Sequence, residues 1–359
     1  MILSYVVYIG SLLLCWLFSY LAQRRNSRLY VWLIIFTLTL VAGFRDFSVG
    51  MDTQNYVVKF DLIANGAFGL AFGLEESFKY IVHGLLSIFP NMTFLLTLFA
   101  FVTSWCIITR FWELREVSSF VCMVLCYYMA FYFMSFNAIR QFVAVGIVFY
   151  CTRYLTQNKI PRYIIGVLLA MQFHESALIG FALLAVNCLR WKELPQNQKV
   201  LYLMIVLVSP VVLVTAVRLF ARYARYFANI SLDIGFMVPL KLLFLTATLV
   251  FVFGMHHRLS YFRGGETWGR TERFNVLMSS IGYFAALLMA TLGYLFPYVE
   301  RISCYFYLFE GVYYGVLLKG KQAVNRIVFG YFICFVVGYG FVYSILHNSQ
   351  GTMPYAFIW

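Results

Sequence analysis

The run Gly43-Phe-Arg45-Asp-Phe-Ser-Val-Gly50-Met-Asp52-Thr-Gln-Asn-Tyr56 places an arginine, two carboxylates and a permissive glycine where a long apolar stretch ends. Arginine presents a planar fork of donors that matches phosphate oxygens. Gly50 permits a tight turn, and Asp52 is placed either to orient Arg45 or to accept a proton. Three more clusters share this character. Asn137-Ala-Ile-Arg140-Gln141 opens an apolar segment, so Arg140 sits at a helix N-terminus. The helix dipole disfavours a cation there, and an anionic ligand resolves the conflict. Gln172-Phe-His174-Glu175-Ser176 interrupts an apolar stretch with a group able to move protons near neutrality. Tyr298-Val-Glu300-Arg301-Ile-Ser-Cys-Tyr305-Phe306 again sets an arginine beside a helix start.

A fifth cluster has a different spacing. Arg218, Arg222 and Arg225 recur at i, i+4 and i+7, which puts them on one helix face beside Tyr223 and Tyr226. Such a face suits lipid headgroups, or a lid that meets diphosphate or acidic sugar. Each of the other clusters also has a plain alternative. These are an interfacial loop with a capping Asp52, a snorkelling Arg140, a His174–Glu175 pair that only closes a turn, and a Glu300–Arg301 surface pair. His174-Glu175 is not a zincin motif, because no second histidine follows at the required spacing.

The elements that hold these clusters are membrane helices. The chain is 63% hydrophobic and 11% charged, with a mean hydropathy of +0.82, whereas soluble domains carry about 25% charged residues. Apolar runs long enough to cross a hydrocarbon layer of ~30 Å recur throughout. They lack the ten-residue alternation of a barrel, so helices are the spanning elements. The expected fold is all-α and polytopic, one domain over residues 1–359. It has about 11–12 spans, including 2–22, 29–44, 91–110, 117–136, 139–156, 200–219, 236–255, 274–296, 301–318 and 327–346. Residues 2–22 lack a positive leader and a small-residue cleavage site, and are read as a retained first helix. Residues 76–89 are expected to lie at the interface, since Glu75, Glu76, Lys79 and His83 oppose a crossing. The eight cysteines lie in apolar stretches without metal-ligand spacing, so neither a disulfide framework nor a metal site is expected.

Charge orients the set. If residues 163–189 form two short helices broken at His174-Glu175, then 18 of the 27 Lys and Arg fall in cytoplasmic loops, at 23–28, 152–162, 256–273 and 319–326 among others. The outer motifs are then 43–61, 137–141, 172–176, 218–235 and 298–306. The net charge of +13 thus faces the anionic inner leaflet of the bilayer, and no nucleic acid partner is implied.

The ordered set G-F-R-x-x-x-V-G-x-D-x-x-x-Y, A-I-R-Q, F-H-E-S-A-L and E-R-I-S-x-Y-F resembles the EpsG/Wzy group of bacterial polysaccharide polymerases. The tail Asn348-Ser-Gln-Gly-Thr-Met-Pro354-Tyr355 is similar to the ending common there. The resemblance covers nearly the whole chain. It implies a GT-C-like, multi-pass glycosyltransferase of the cytoplasmic membrane with its active site on the outer face. Such an enzyme transfers a growing glycan from undecaprenyl diphosphate to the non-reducing end of a new lipid-linked oligosaccharide. Its expected partners are that substrate, the bilayer, a chain-length regulator and a flippase. By resemblance Arg45, Asp52, Arg140, His174 and Arg301 map onto the motif positions.

That chemistry suits the residues. Charge grows on the diphosphate oxygen as the glycosidic bond breaks, and arginines aimed at it stabilise the transition state without a metal or other cofactor. Arg45, Arg140, Gln141, Arg301, Tyr56, Tyr305, Arg218, Arg222 and Arg225 are the expected diphosphate and glycan ligands. His174 is the expected base, with Glu175 or Asp52 as alternatives. Flippase, ligase and glycan acyltransferase remain as other readings. A transporter would show internal repeats and polar residues strung through the midplane, and neither is evident.

Overall fold

The computed structural model describes residues 2–188, 269–293, 297–319 and 323–358. Among these the chain is helical, with one isolated bridge between Arg45 and Phe357. The first half contains α1 (Ile2–Arg25), α2 (Arg28–Gly43), α3 (Thr53–Ala64), α4 (Glu76–Ile88), α5 (Met92–Glu113), α6 (Phe120–Cys126), α7 (Met134–Asn137) and α8 (Ile139–Thr156). Then come α9 (Ile160–Met171), a 3-10 helix (Glu175–Phe181) and α10 (Ala182–Cys188). The C-terminal part has α11 (Arg270–Gly293), α12 (Pro297–Leu318) and α13 (Ala323–Leu346). The expected spans 200–219 and 236–255, with Arg218, Arg222 and Arg225, lie outside the described residues.

The side-chain pattern is that of a membrane protein. On α1 the inward seam is Ser4, Tyr8, Ser11, Cys15, Ser19 and Ala22. Its outward face carries Ile2, Val6, Ile9, Leu13 and Trp16. A helix in water would bury the large apolar face and expose the serines. In lipid, apolar surface is free to face outward, and small or hydroxylated residues let helices approach. α1 and residues Met92–Glu116 are each long and apolar enough to cross. Gly43 shows how close helices come: a Cβ there would lie 2.7 Å from the Thr97 Cα, so α2 and α5 meet at backbone distance.

The middle of the bundle is α8. Fifteen of its 18 residues are buried, all round the helix, as a core helix requires. It packs against α5, α9 and α12, while α2 and α6 pack against α1. The expected span 117–136 is not one regular helix. α6 passes into a π turn at Tyr127–Phe131 before α7. Aromatic residues crowd this stretch, and two of their hydroxyls bond backbone on other helices: Tyr128 donates to Tyr8 O at 2.8 Å and Tyr132 to Leu38 O at 2.6 Å. α3 was not expected. It forms because Thr53, Phe60 and Ile63 share a face that buries against the bundle.

The expected break at His174 is present. α9 has 12 residues, about 18 Å of helix, too short to cross ~30 Å. The chain turns at Gln172–His174 and folds back, since Tyr163 donates to Gly180 O at 2.6 Å. The second arm begins as a 3-10 helix and becomes α-helical only at Ala182.

The bundle has two unlike polar ends. At one, Arg110 bonds Thr152, Glu113 and Asn275, Arg153 pairs with Glu113 at 2.8 Å, and Lys319 donates to Arg115 O and Glu116 O. At the other, the 43–52 loop meets the C-terminal tail. Gly50 N–H donates to Gly351 O at 2.8 Å, Asp46 N–H to Ala356 O at 2.8 Å, and Ile358 N–H to Phe44 O at 3.0 Å. Tyr8 and Ser4 of α1 hold the same tail through Thr352 O and Tyr355 N–H.

Gly50 makes that junction possible. Its φ is +98°, and a Cβ would lie 2.7 Å from Thr53 Oγ1 and 2.9 Å from Asn137 Oδ1. Gly50→Ala is expected to destabilise the protein by about 1–3 kcal/mol. Thermal unfolding in detergent checks this. Gly10→Ala on α1, where a Cβ meets nothing within 4 Å, is the control expected to be near neutral or stabilising.

Candidate functional site

Arg140 opens α8 with its side chain only 10% exposed. Its guanidinium is enclosed by the segment before α4. Nη1 pairs with Glu75 Oε2, and Nη2 donates to Gly73 O at 3.1 Å. Phe78 and Tyr56 lie against it, with ring centroids 5.5 and 5.9 Å from Cζ. Nε is buried without a hydrogen-bond partner. Next to it, Gln141 Nε2 donates to the backbone O of Arg301. This joins the start of α8 to the start of α12 and brings the Asn137–Gln141 and Tyr298–Phe306 motifs to one place. The Arg301 side chain is exposed.

His174 sits in the turn between α9 and the 3-10 helix and caps the latter. Its Nδ1 accepts from Ser176 N–H at 3.3 Å and is 2.6 Å from Ser176 Oγ. A backbone N–H can only donate, so Nδ1 is unprotonated and the Ser176 hydroxyl also donates to it. Tyr305 Oη lies 3.0 Å from Ser176 Oγ and therefore donates in turn. The chain runs Tyr305 to Ser176 to His174, and the neutral ring carries its proton on Nε2. His174, the expected base, stands at the end of this chain of hydroxyls. Its acceptor nitrogen is taken by Ser176, and the nitrogen left over presents a donor.

Burial, followed by the charges of Arg140 and Arg301, pushes the His174 imidazole down to about 3. In an unfolded chain the ring titrates near 6.5. Between these values the unfolded state takes up a proton that the folded state refuses. Stability from this source is full above about pH 6.5 and falls as pH drops toward 3, by up to ~1.4 kcal/mol per pH unit. His174→Gln is expected to flatten the loss of thermal midpoint measured between about pH 7 and about pH 5. An unchanged slope would mean that His174 is not the group refusing the proton.

Lys59 on α3 is a cation that the motifs did not single out. Burial lowers its pKa, the Arg140 charge lowers it further, and Asp52 opposes both. Lys59, Arg140 and Arg301 thus act on one region. Glu75 and Ser176 were also absent from the expected site residues. Glu75 was seen only as a charge that kept 76–89 out of the membrane, and Ser176 only as part of F-H-E-S-A-L. Their contacts are across 65 and 129 residues, beyond any local pattern.

Arg45, expected among the diphosphate ligands, faces inward. It is 2% exposed. Its donors go to Val49 O at 3.3 Å, Ala42 O, Thr53 Oγ1 at 3.3 Å and Phe136 O at 2.9 Å. The Phe136 ring centroid lies 4.6 Å from Cζ. Burial pulls the guanidinium down to about 10, with nearby tyrosines opposing, so it remains charged at neutral pH. Asp52 does not orient Arg45, because no ion pair joins them. Asp52 is exposed, and its N–H donates to Asn137 Oδ1 at 3.4 Å. Tyr56, Gln141 and Tyr305 stand with Arg140 and His174, whereas Arg45 braces the loop behind them.

Fold and site together define an all-α, polytopic membrane protein with a cationic, hydroxyl-rich site gathered at one end of its bundle. The chain belongs to the EpsG family, whose family model matches residues 28–357. Membership gives it a polysaccharide polymerase-like role, glycosyltransferase-like in kind. No curated protein and no solved structure matches the chain significantly.

Proposed function

We propose that the protein polymerises undecaprenyl-diphosphate-linked oligosaccharide repeat units at the outer face of the bacterial cytoplasmic membrane. The growing glycan passes from its lipid diphosphate to the non-reducing end of a new lipid-linked unit. The acceptor hydroxyl forms a bond to the anomeric carbon, the bond from that carbon to the diphosphate oxygen breaks, and the lipid diphosphate departs. The acceptor proton goes to a carboxylate at this end of the bundle. Glu175 is the one beside the imidazole, and Asp52 is the alternative.

The observation that carries this reading is the meeting of Arg140, Lys59, Arg301 and the His174 turn at one end of an EpsG-family membrane bundle. Guanidinium and ammonium groups offset the charge that builds on the leaving oxygen, so we assign this role to side chains and not to a metal. The His174 Nε2–H is a further donor to that oxygen. Tyr56 and Tyr305 offer faces and hydroxyls to sugar. The outward orientation is supported by the basic residues Arg24 and Arg25 at the end of α1 and Arg28 at the start of α2, since basic helix junctions of this kind stay cytoplasmic.

A deletion strain complemented with wild type or variants tests the function through its glycan ladder. Single repeat units on the surface support a polymerase. Loss of all surface glycan points to a flippase, and full-length unattached polymer to a ligase. The purified protein given defined undecaprenyl-diphosphate repeats is expected to build a ladder without added metal. No extension under these conditions would overturn the reading.

A further inference from the structure

We infer that Glu75 is a positioning residue: its carboxylate holds the Arg140 guanidinium and the main chain that carries His174 in fixed relation to each other. The inference rests on the proposed function, because it concerns the groups assigned there to the diphosphate. Glu75 caps α4 in an extended conformation and is 13% exposed at its side chain. Its two oxygens serve different elements. Oε2 pairs with Arg140 at the start of α8, and Oε1 accepts the Glu175 N–H at 3.1 Å, one residue after His174.

The neighbouring residues of the same segment repeat the pattern. Gly73 O takes the other arm of Arg140 at 3.1 Å. Ser77 Oγ donates to Gln172 O at 3.1 Å, on the far side of the His174 turn. Phe78 lies against Arg140 and also against Phe173, with ring centroids 6.2 Å apart. The first turn of α4 thus grips both motifs at once, and Glu75 is the member that touches each with a charged group. Without Glu75 the guanidinium loses its carboxylate and keeps Gly73 O and the Tyr56 and Phe78 rings, and the Glu175 N–H loses the acceptor that ties the turn to that charge.

A carboxylate bound to Arg140 offsets its charge in a largely buried place. It also holds the fork in one plane, so that donors still uncommitted face one direction. A displacement of about 1 Å at such a point reduces rate by about a hundredfold. Binding depends less on the alignment, because Lys59 and Arg301 still attract the anion.

The test is the full-length protein in detergent or nanodiscs with defined undecaprenyl-diphosphate repeats, comparing Glu75→Gln, Glu75→Asp, Glu75→Ala and wild type. Glu75→Gln is expected to lower kcat about a hundredfold while KM moves by less than about threefold. Glu75→Asp, which keeps the charge, is expected to recover about tenfold of that loss. Glu75→Gln in an Arg140→Gln background is expected to add no further loss, since the first residue acts through the second. Amide hydrogen exchange over residues 172–178, read in the same proteins without turnover, is expected to quicken about tenfold in Glu75→Gln, as loss of one hydrogen bond allows. Wild-type kcat in Glu75→Gln, an additive double variant, or unchanged exchange would each overturn the inference. If the wild type does not extend lipid-linked repeats, the proposed function fails, and the exchange measurement alone decides whether Glu75 positions the His174 turn. Should Glu75→Ala fail to fold, the glutamine and aspartate variants carry the comparison.

Discussion

An Arg140→Gln protein is expected to extend lipid-linked repeats about 10²- to 10³-fold more slowly than wild type. Two effects add to this result. The first is chemical. Arg140 is the buried cation that stands among Tyr56, Phe78 and the His174 turn, in surroundings where a charge acts strongly on a developing anion. The second is structural. Its loss leaves Glu75 largely buried without its partner, and breaking a buried pair costs about 3–5 kcal/mol. The two are separable. Arg140→Lys keeps a charge near Glu75 but loses the planar fork, so its thermal midpoint in detergent is expected to stay close to wild type while the rate remains low. A lysine variant with wild-type rate would show that only charge is needed. A glutamine variant with wild-type rate would remove Arg140 from the site.

Arg45 is expected to give the opposite division. Arg45→Met should destabilise the protein by about 3–5 kcal/mol, and its activity should fall in step with the folded fraction. The reason is the number of groups it serves. Three backbone carbonyls, Ala42 O, Val49 O and Phe136 O, and the Thr53 hydroxyl all accept from one guanidinium. Methionine fills much of the volume but donates nothing, so Ala42 O loses the guanidinium, and Val49 O and Phe136 O are left to share the single Thr53 hydroxyl proton in a buried place. The end of α2, the 43–52 loop, the start of α3 and the end of α7 then lose a shared brace. Thermal unfolding and specific activity per folded molecule check this. A variant of normal stability that does not turn over would mean that Arg45 meets the substrate after all.

These two arginines show where sequence and structure divide the work. Both were picked out for the same reason, an arginine at the end of an apolar helix. Composition and apolar run length determine the membrane class and the helix bounds closely: 139–156 is found as Ile139–Thr156 and 76–89 as Glu76–Ile88. The break at His174 was also legible, because an apolar stretch that holds a histidine and a glutamate is costly to keep as one buried helix. Local chemistry had less to say about the π turn at Tyr127–Phe131 or about α3. Those depend on what the tyrosine hydroxyls and the Phe60 face meet on other helices.

The direction of each charged side chain was not legible at all. A motif states that an arginine is present, but not whether its donors are already taken. Arg45 turns inward because carbonyls from α2, its own loop and Phe136 surround it. Arg140 stays beside the histidine because Glu75, 65 residues earlier, holds it there. By itself the sequence determined an all-α membrane bundle with its polar motifs at helix ends. Which of those motifs share a site, and which one only braces it, was decided by contacts between distant segments, since hydrogen bonds and ion pairs depend on distance in space and not along the chain.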